Sequence, residues 1–229
     1  MVTVVLLGAG SGKRFGTVLP KQFQKIFGKT ILQHSAERIL SCSRVDSLVY
    51  VAKAGEEGSM DSFLASSGCH HVVTTGGVQR AHSVLNGLRS CNPSTEIVLI
   101  HDGARPNLSS DLMNRLIESV ENFSMGAVPV LPVTDTLKKR DGEWISSTID
   151  REELVRVQTP QAYPYKMILE AYEFGLRKGF IGTDDAAYIQ RMGGMVRGVE
   201  GEAWNLKITT PEDLDLFHFY LKKSGYEDR

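Results

Sequence analysis

The sequence predicts a doubly wound α/β fold, with a mostly parallel sheet, helices on both faces and a projecting β-hairpin arm. Through the first half of the chain, short apolar runs alternate with segments long enough for helical crossovers. Because two parallel strands must be joined by such a crossover, this alternation indicates βαβ units. We find no repeat or linker, so we expect one domain over residues 1–229, with the arm inserted at about residues 133–150.

Each element follows from its local pattern. The predicted strands are mostly short apolar runs, as expected for strands buried on both faces; they are Val2–Leu7, Ser47–Val51, Val72–Val73, Glu96–Ile100, Gly126–Leu131, Val155–Gln158 and Met195–Val199. The predicted helices follow cap residues or amphipathic spacing; they are Ile31–Leu40 behind a Thr30 cap, Glu57–Ser66, Arg80–Arg89, Asp111–Glu121, Lys166–Arg177, Asp184–Met192 and one that begins at Pro211.

A hairpin interrupts the alternation in the second half of the chain. The Asp141-Gly142 pair lies between two extended, half-polar segments and favours a tight β-turn. Trp144, Ile145 and Ile149 would remain in water if this were only a solvated hairpin. Because such side chains favour burial, we expect a dimerising arm and hence a homodimer.

Composition narrows the class of protein. With 229 residues, 41% of them hydrophobic and 23% charged, the chain matches globular averages, which excludes collagen-like, low-complexity and disordered chains. The formal net charge of -1 argues against bulk binding to nucleic acid or to membrane surfaces. We therefore expect neither as a partner.

Cysteine usage and the first residues indicate the compartment. Cys42, Cys69 and Cys91 are widely spaced and form no CxxC pattern, as in proteins of reducing compartments. The apolar start Met1–Leu7 lacks the basic region of a signal peptide. No apolar run approaches the roughly 18 residues of a membrane span. We expect a cytoplasmic location.

A glycine-rich loop, Gly8–Gly16, directly follows the first strand. Its backbone N–H groups can cradle phosphate oxygens, and glycine allows the close approach. The loop fails the Walker A pattern, because Leu7 stands where the first glycine belongs and Arg14 replaces the hydroxyl. It also lacks the third glycine of the dinucleotide fingerprint, which disfavours an NAD(P)-dependent oxidoreductase.

Cationic side chains surround this loop. Lys13 and Arg14 lie inside it, and Lys21 follows closely. Lys and Arg neutralise the charge that develops in phosphoryl or nucleotidyl transfer, whereas hydride transfer has no use for three cations. The cluster favours a triphosphate ligand over a solvated basic loop.

A carboxylate follows the strand that ends at Ile100. Ligand-binding groups gather at the carboxyl ends of strands in an open parallel sheet, and Asp102 lies there. Its hard oxygens suit Mg²⁺, which keeps substrate phosphates and water as further ligands. An Asp after a strand is as often a turn former, but the phosphate loop and Arg105 favour the metal role. Asp184-Asp185 is a second candidate, although an acidic pair is equally expected at a helix N-terminus.

Seven motifs together resemble one family. They are L-x-A-G-x-G-x-R from Leu7 with Pro20-Lys21-Gln22, Gly76-Gly77-x-x-Arg80-x-x-Ser83-Val84, His101-Asp102-Gly103-Ala104-Arg105-Pro106, Asp135-Thr136, Gln158-Thr159-Pro160-Gln161, Thr183-Asp184-Asp185 and Asn205-Leu206-Lys207-Ile208-Thr209. In order and spacing they resemble the 2-C-methyl-D-erythritol 4-phosphate cytidylyltransferases of the non-mevalonate isoprenoid pathway. The resemblance runs from residue 3 to about residue 217.

The resemblance implies a Rossmann-like nucleotidyltransferase. It would transfer the cytidylyl group of CTP to 2-C-methyl-D-erythritol 4-phosphate, giving 4-diphosphocytidyl-2-C-methyl-D-erythritol and pyrophosphate, with Mg²⁺ or another divalent cation. Arg14 and Lys21 would stabilise the pentacoordinate α-phosphate, Lys207 would reach phosphate, and Asp102 would hold the metal. The glycine loops, with Ser83, would bind the nucleotide and read cytosine. The implied nucleotide-binding residues are Leu7, Gly8, Ala9, Gly10, Gly12, Gly77, Val78, Ser83 and Asp102.

The resemblance also implies a binding site for the polyol phosphate. Its residues would be Arg105, Thr136, Arg151, Thr159 and Thr183. Thr136 and Arg151 flank the arm and would come from the partner subunit. The planar guanidinium of Arg151 suits a bidentate grip on phosphate.

The chain departs from the family at two positions. It has Gly8-Ala9-Gly10 where the family usually has Ala-Ala-Gly, and Val78 where an acidic residue usually follows the paired glycines. Both changes are compatible with recognition of the base through backbone groups.

Three other functions are alternatives to this interpretation. A ribitol 5-phosphate cytidylyltransferase shares most of the motifs. An NAD(P)-dependent oxidoreductase is disfavoured by the failed fingerprint. A catalytically silent nucleotide-binding protein is disfavoured because the charged positions are intact.

Overall fold

The computed structural model describes residues 1–10 and 21–224. Residues 11–20 and 225–229 lie outside the described ranges. The strands are β1 (Val2–Leu7), β2 (Lys25–Ile26), β3 (Lys29–Thr30), β4 (Ser47–Ala52), β5 (His70–Thr75), β6 (Ile97–Asp102), β7 (Gly126–Pro132), β8 (Leu137–Asp141), β9 (Trp144–Ile149), β10 (Val155–Val157), β11 (Gln161–Pro164) and β12 (Val196–Glu200). The α-helices are α1 (Ile31–Leu40), α2 (Asp61–Ser66), α3 (Arg80–Arg89), α4 (Ser110–Phe123), α5 (Tyr165–Arg177), α6 (Ala186–Arg191) and α7 (Pro211–Lys223).

A mostly parallel sheet forms the centre of the molecule. Its strands run in the order β10-β7-β11-β6-β1-β4-β5, and β12 pairs with β7. β1 is parallel to both of its neighbours, β4 and β6. Nearly every residue of β1, β4 and β6 is buried, as the unbroken apolar runs predicted. The predicted α/β class with a mostly parallel sheet is confirmed.

Helices cover both faces of this sheet. α1 and α4 pack on one face in a cluster that contains Leu32 and Leu116, together with Val4 of β1. α3, α5 and α6 pack on the other face with Val5. Successive residues of β1 thus serve opposite layers, as the alternation of side chains along a strand requires. α7 packs through Phe217 in a third cluster beside α1.

Local signals set the helix starts. Thr30 and Gln33 form a reciprocal capping box at the start of α1. At α7, the Thr210 N–H donates to Asp213 Oδ2 at 2.9 Å and Pro211 is the first helical residue. Both helices begin where the sequence predicted them. Within the described ranges, no helix is both long and apolar enough to cross a lipid bilayer.

Two short antiparallel strands interrupt the parallel pattern. β10 pairs with β7, and β11 pairs with both β6 and β7. The sequence predicted β10 but not β11, which has four residues, follows Pro160 and ends in Pro164. A strand so short, with proline at each end, carries no clear strand signal. It places the Gln158-Thr159 segment beside the end of β6.

The predicted hairpin is present and forms a sheet of its own. β8 and β9 pair antiparallel, with Asp141 opposite Trp144. Gly142 takes the first position of the two-residue turn with φ +58, a left-handed conformation that favours glycine. Trp144 and Ile145 are 80% and 68% exposed in the chain alone, and Ile149 is also exposed. The apolar side chains of the arm thus find no cover within the described part of this chain.

Candidate active site

A cleft of about 420 Å³ opens at the carboxyl ends of β1 and β6, where Leu7 and Asp102 are register partners. This is the edge of an open α/β sheet at which ligands bind. The cleft is lined by Leu7, Ala9, Gly10, Lys21, Gly77, Val78, Gln79, Arg80, Ser83, Asp102, Gly103, Ala104, Lys207 and Thr209.

The chain turns into the cleft directly after β1. The Gly8 N–H donates to Val51 O at 2.9 Å, and the buried Gln22 amide donates to Gly8 O at 3.1 Å and to Gly10 O at 2.9 Å. Gly8 has no room for a side chain, because a Cβ there would be 2.5 Å from Cε2 of the buried Tyr50. The start of the loop is thereby fixed in place.

A second pair of glycines forms the facing wall. A Cβ on Gly76 would be 2.6 Å from the Cβ of Ala9, so the two loops approach this closely only because residue 76 is glycine. The Gly77 N–H donates to Ser83 Oγ at 3.0 Å. The Val78 side chain is 97% exposed. This wall therefore presents mainly backbone to the cleft.

Asp102 carries a negative charge held by two cations. Lys207 Nζ donates to Oδ2 at 2.6 Å, and Arg80 Nε donates to Oδ1 at 3.3 Å. Burial alone would raise the pKa of Asp102, but Arg80 and Lys207 together hold the pKa well below its usual range. Asp102 is therefore a carboxylate at every physiological pH.

Arg80 joins Asp102 to a second carboxylate. Its Nη1 and Nη2 donate to Oδ1 and Oδ2 of Asp185 at 2.7 and 2.9 Å. Asp185 is fully buried, and the Tyr172 hydroxyl donates to it at 2.5 Å. Burial would lower the pKa of Arg80, but Asp185 and Asp102 raise the pKa further above its usual range. The guanidinium is thus permanently charged.

A buried polar layer supports Asp102 from behind. The Asp102 N–H donates to Thr159 Oγ1 at 3.1 Å, and that oxygen lies 3.3 Å from His101 Nδ1. The Asn205 amide donates to Thr159 O at 2.9 Å. Burial lowers the pKa of His101 to about 4, so the imidazole is neutral near pH 7. These contacts fix the backbone at the end of β6.

Further cations lie where the loops meet. Lys21 Nζ donates to Ile208 O at 2.5 Å, and the Ile208 N–H donates to Ala104 O at 2.8 Å. Arg105 Nη1 donates to Asn205 O at 2.8 Å. Burial lowers the pKa of Arg105, partly offset by Asp102. Cations therefore reach one carboxylate-centred cleft from several separate segments, an arrangement suited to a polyanionic ligand.

Comparison with known proteins identifies the family. The profile described as "IspD: 2-C-methyl-D-erythritol 4-phosphate cytidylyltransferase" matches residues 2–223. The chain belongs to this cytidylyltransferase family. It is 39% identical over 212 residues to the cytidylyltransferase of that name from Geobacillus thermodenitrificans, and the match covers 92% of each chain. The predicted resemblance is confirmed, and with it the enzyme class, a nucleotidyltransferase.

Solved structures of cytidylyltransferases share the fold. The 4-diphosphocytidyl-2C-methyl-D-erythritol synthase of Anaerococcus prevotii superimposes with a TM-score of 0.84 at 27% identity, covering 96% of this chain and 98% of that one. The 2-C-methyl-D-erythritol 4-phosphate cytidylyltransferase of Thermus thermophilus gives a TM-score of 0.79 at 33% identity, covering 95% and 98%.

The structure brings most of the predicted nucleotide and catalytic residues of this cytidylyltransferase together. Those that line the cleft are Leu7, Ala9, Gly10, Lys21, Gly77, Val78, Ser83, Asp102 and Lys207. Gly8 lies buried against Tyr50 beside them. Gly12 and Arg14 lie outside the described residues.

The five residues predicted for the polyol phosphate are placed differently. Thr159 is buried behind Asp102, and Thr183 is exposed just before α6. Thr136 and Arg151 are exposed at the two ends of the arm, where the Arg151 guanidinium donates to Thr134 O. Within the described part of the chain, neither these residues nor Arg105 are among those that line the cleft.

Sequence reasoning gave no role to Arg80 or Asp185. Arg80 was present in the family motif, and a cation at the start of a helix, three residues after a glycine pair, was the available signal. Asp185 was weighed only as a metal ligand or a helix-terminal acid. Its contact with Arg80 joins residues 105 positions apart, which no local pattern reveals.

Proposed function

We propose that this chain transfers the cytidylyl group of CTP to 2-C-methyl-D-erythritol 4-phosphate. The observation that carries the proposal is the cleft itself: in a member of this family, Lys21 and Lys207 converge with Asp102 beside two glycine loops. A phosphate oxygen of the polyol phosphate attacks the α-phosphorus of CTP in line. The bond from the α-phosphorus to the bridging oxygen breaks, and pyrophosphate leaves with the electron pair.

The protein contributes positioning and charge, with no covalent intermediate. Lys21, together with Arg14, stabilises the extra negative charge of the pentacoordinate phosphorus, and Lys207 contacts phosphate. Backbone groups of Gly10 and Gly77, with the Ser83 side chain, hold the nucleotide, and Gly8 fixes the start of the loop that carries Gly10. Because the Val78 side chain is apolar and cannot form hydrogen bonds, reading of cytosine at this position relies on backbone groups in this chain.

Mg²⁺, or another divalent cation, fits at Asp102. Among the described residues, no group of three or more His, Cys, Asp or Glu side chains is arranged to hold a metal ion. Mg²⁺ commonly takes one or two protein carboxylates and completes its shell with substrate phosphates and water, so a single carboxylate in a phosphate cleft suits it. When bound, the ion would neutralise charge on the triphosphate.

The polyol phosphate lies between two subunits of a homodimer joined by the arm. Trp144 and Ile145 are largely exposed, as expected of side chains that a partner covers. In this arrangement Thr136 and Arg151 act in the partner's cleft, with Arg105, Thr159 and Thr183 on the near side. Each chain contributes one domain. The unpaired Cys42, Cys69 and Cys91 support a cytoplasmic enzyme.

A substrate panel tests the proposal. Pyrophosphate release from CTP is measured with 2-C-methyl-D-erythritol 4-phosphate, with ribitol 5-phosphate and with no acceptor, and Lys21→Ala serves as the matched inactive control. We expect release only with the first acceptor. Release only with ribitol 5-phosphate would establish the alternative cytidylyltransferase, and no release in any arm would reject the activity.

A further inference from the structure

Arg80 lies between two carboxylates that hold it unequally. Both of its Nη groups donate hydrogen bonds to the Asp185 carboxylate, at 2.7 and 2.9 Å, in a bidentate pair. Only its Nε faces Asp102, at 3.3 Å. The two Nη groups of Arg80, which form the guanidinium fork, therefore face away from the cleft, and its Nε faces towards the cleft.

The surroundings of Asp185 stabilise its ion pair with Arg80. It is fully buried and also accepts the Tyr172 hydroxyl at 2.5 Å. The Tyr172 ring stacks on Tyr188 at 3.9 Å between centroids, and the Gly182 N–H donates to the Tyr188 hydroxyl at 3.2 Å. An unpaired buried carboxylate is strongly unfavourable, so Asp185 retains the guanidinium.

We propose that Asp185 is a positioning residue, which occupies the guanidinium fork of Arg80 and so keeps Asp102 available to a divalent cation. The inference rests on the proposed function, in which Asp102 holds the metal that accompanies CTP. Among the described residues, the other cation paired with the Asp102 carboxylate is Lys207, whose side chain is 37% exposed and which makes one hydrogen bond to it. A lysine with such access can exchange Asp102 for a phosphate oxygen.

Arg80 would compete with the metal if Asp185 lost its charge. Bidentate arginine–carboxylate pairs are stronger and better oriented than single charge-assisted bonds. Released from Asp185, the fork would turn to Asp102, the nearest remaining carboxylate in contact with Arg80. The loss of metal binding would then result from the pairing of Arg80 with Asp102. Removing the Arg80 side chain would restore metal binding.

The test measures Mn²⁺ binding by electron paramagnetic resonance, on the full chain with saturating CTP and no polyol phosphate. Asp185→Asn should weaken Mn²⁺ binding roughly tenfold or more, because a bidentate pair then blocks Asp102. Asp184→Asn is the matched control, since that carboxylate accepts from the Ala187 N–H and from Gln161 at 3.1 Å. It should bind Mn²⁺ within about threefold of wild type, as an isolated change outside the network would.

The double variant Arg80→Met, Asp185→Asn decides between positioning and structural roles. It removes the buried pair as a unit, a change that is often neutral for stability. In this double variant, Mn²⁺ binding should return to wild-type strength or become tighter. The measurement still tests the inference if Asp185→Asn alone fails to fold. The inference would be overturned if the double variant bound Mn²⁺ tenfold or more weakly than wild type. It would also be overturned if Asp185→Asn bound Mn²⁺ as strongly as wild type. The wild-type substrate panel reports separately on the proposed function.

Discussion

The Tyr50 ring fills the space that a side chain on Gly8 would need: a Cβ on Gly8 would be 2.5 Å from Tyr50 Cε2 and 3.0 Å from the Tyr50 hydroxyl oxygen. Tyr50 is fully buried, and its hydroxyl lies 3.0 Å from Ser59 Oγ. The buried tyrosine of β4 therefore explains why this chain has glycine at position 8.

Gly8→Ala should lower the free energy of unfolding by about 1–3 kcal/mol, because it overpacks a filled site. Gly10→Ala is the control, since no atom of the described residues lies within 4 Å of its added Cβ. We expect that variant to stay within about 0.5 kcal/mol of wild type. Urea unfolding measures both. Adding Tyr50→Leu to Gly8→Ala should give less destabilisation than the sum of the single changes, and strict additivity would contradict the clash.

Lys21→Ala should slow the single-turnover rate roughly 10² to 10³-fold while CTP binding changes little, because its charge matters most in the transition state. The same is expected for Arg14→Ala. Lys25→Ala, on the exposed edge of β2, is the control for lost positive charge. Rapid-quench kinetics and a CTP titration separate the two effects. A rate within a few-fold of wild type would remove Lys21 from the chemistry.

Asp102→Asn should raise the Mg²⁺ concentration needed for half-maximal rate, because the amide cannot supply a charged oxygen. Asp61→Asn, at the exposed start of α2, is the control. Circular dichroism checks that the variant folds. Since the pKa of Asp102 lies well below its usual range, the rate should show no acid limb from this group above pH 4. An unchanged Mg²⁺ titration would place the metal elsewhere.

Stability should fall as the pH is lowered below about 6.5, in part through His34. Its Nε2 lies 2.9 Å from Ile26 O, its ring meets Phe217 edge-on, and burial lowers its pKa from 6.5. The unfolded chain then binds more protons than the native chain, so acid favours unfolding. His34→Gln should reduce the slope of unfolding free energy between pH 7 and 5. His70→Gln, on an exposed strand position, should keep the wild-type slope, and equal slopes in all three proteins would refute the assignment.

Mixing Arg14→Ala with Arg151→Ala should restore activity if each active site is shared. Random exchange makes half of the dimers mixed, and each mixed dimer has one intact site, so activity should approach about a quarter of wild type. Mixing Arg14→Ala with Lys21→Ala, two residues that are both expected to act in the cleft of their own chain, is the control and should restore nothing. Verified exchange without recovery would show that Arg151 does not act in the partner's cleft.

The sequence was most informative where one local pattern decides a structure. The helix Arg80–Arg89 and the capped start of Ile31–Leu40 occur where predicted, because apolar spacing and cap chemistry act within a few residues. The hairpin was found from its turn, which needs a positive φ that Gly142 supplies.

Two features were beyond the reach of local patterns. β11 is stabilised by its neighbours β6 and β7 and has no apolar periodicity of its own. The bridge from Asp102 through Arg80 to Asp185 joins three distant segments, and a sequence carries no distances. Motif matching collected the residues of the cleft but not the contacts that orient them.

One backbone segment connects the arm to the floor of the cleft. From Arg151 the chain passes through β10 to Thr159, whose hydroxyl oxygen accepts the N–H of Asp102. A partner that held the hairpin in place would therefore restrain the backbone segment that ends beneath Asp102. In the proposed homodimer, turnover per molecule would fall at concentrations where the subunits separate, because each cleft would then lose the partner's Arg151.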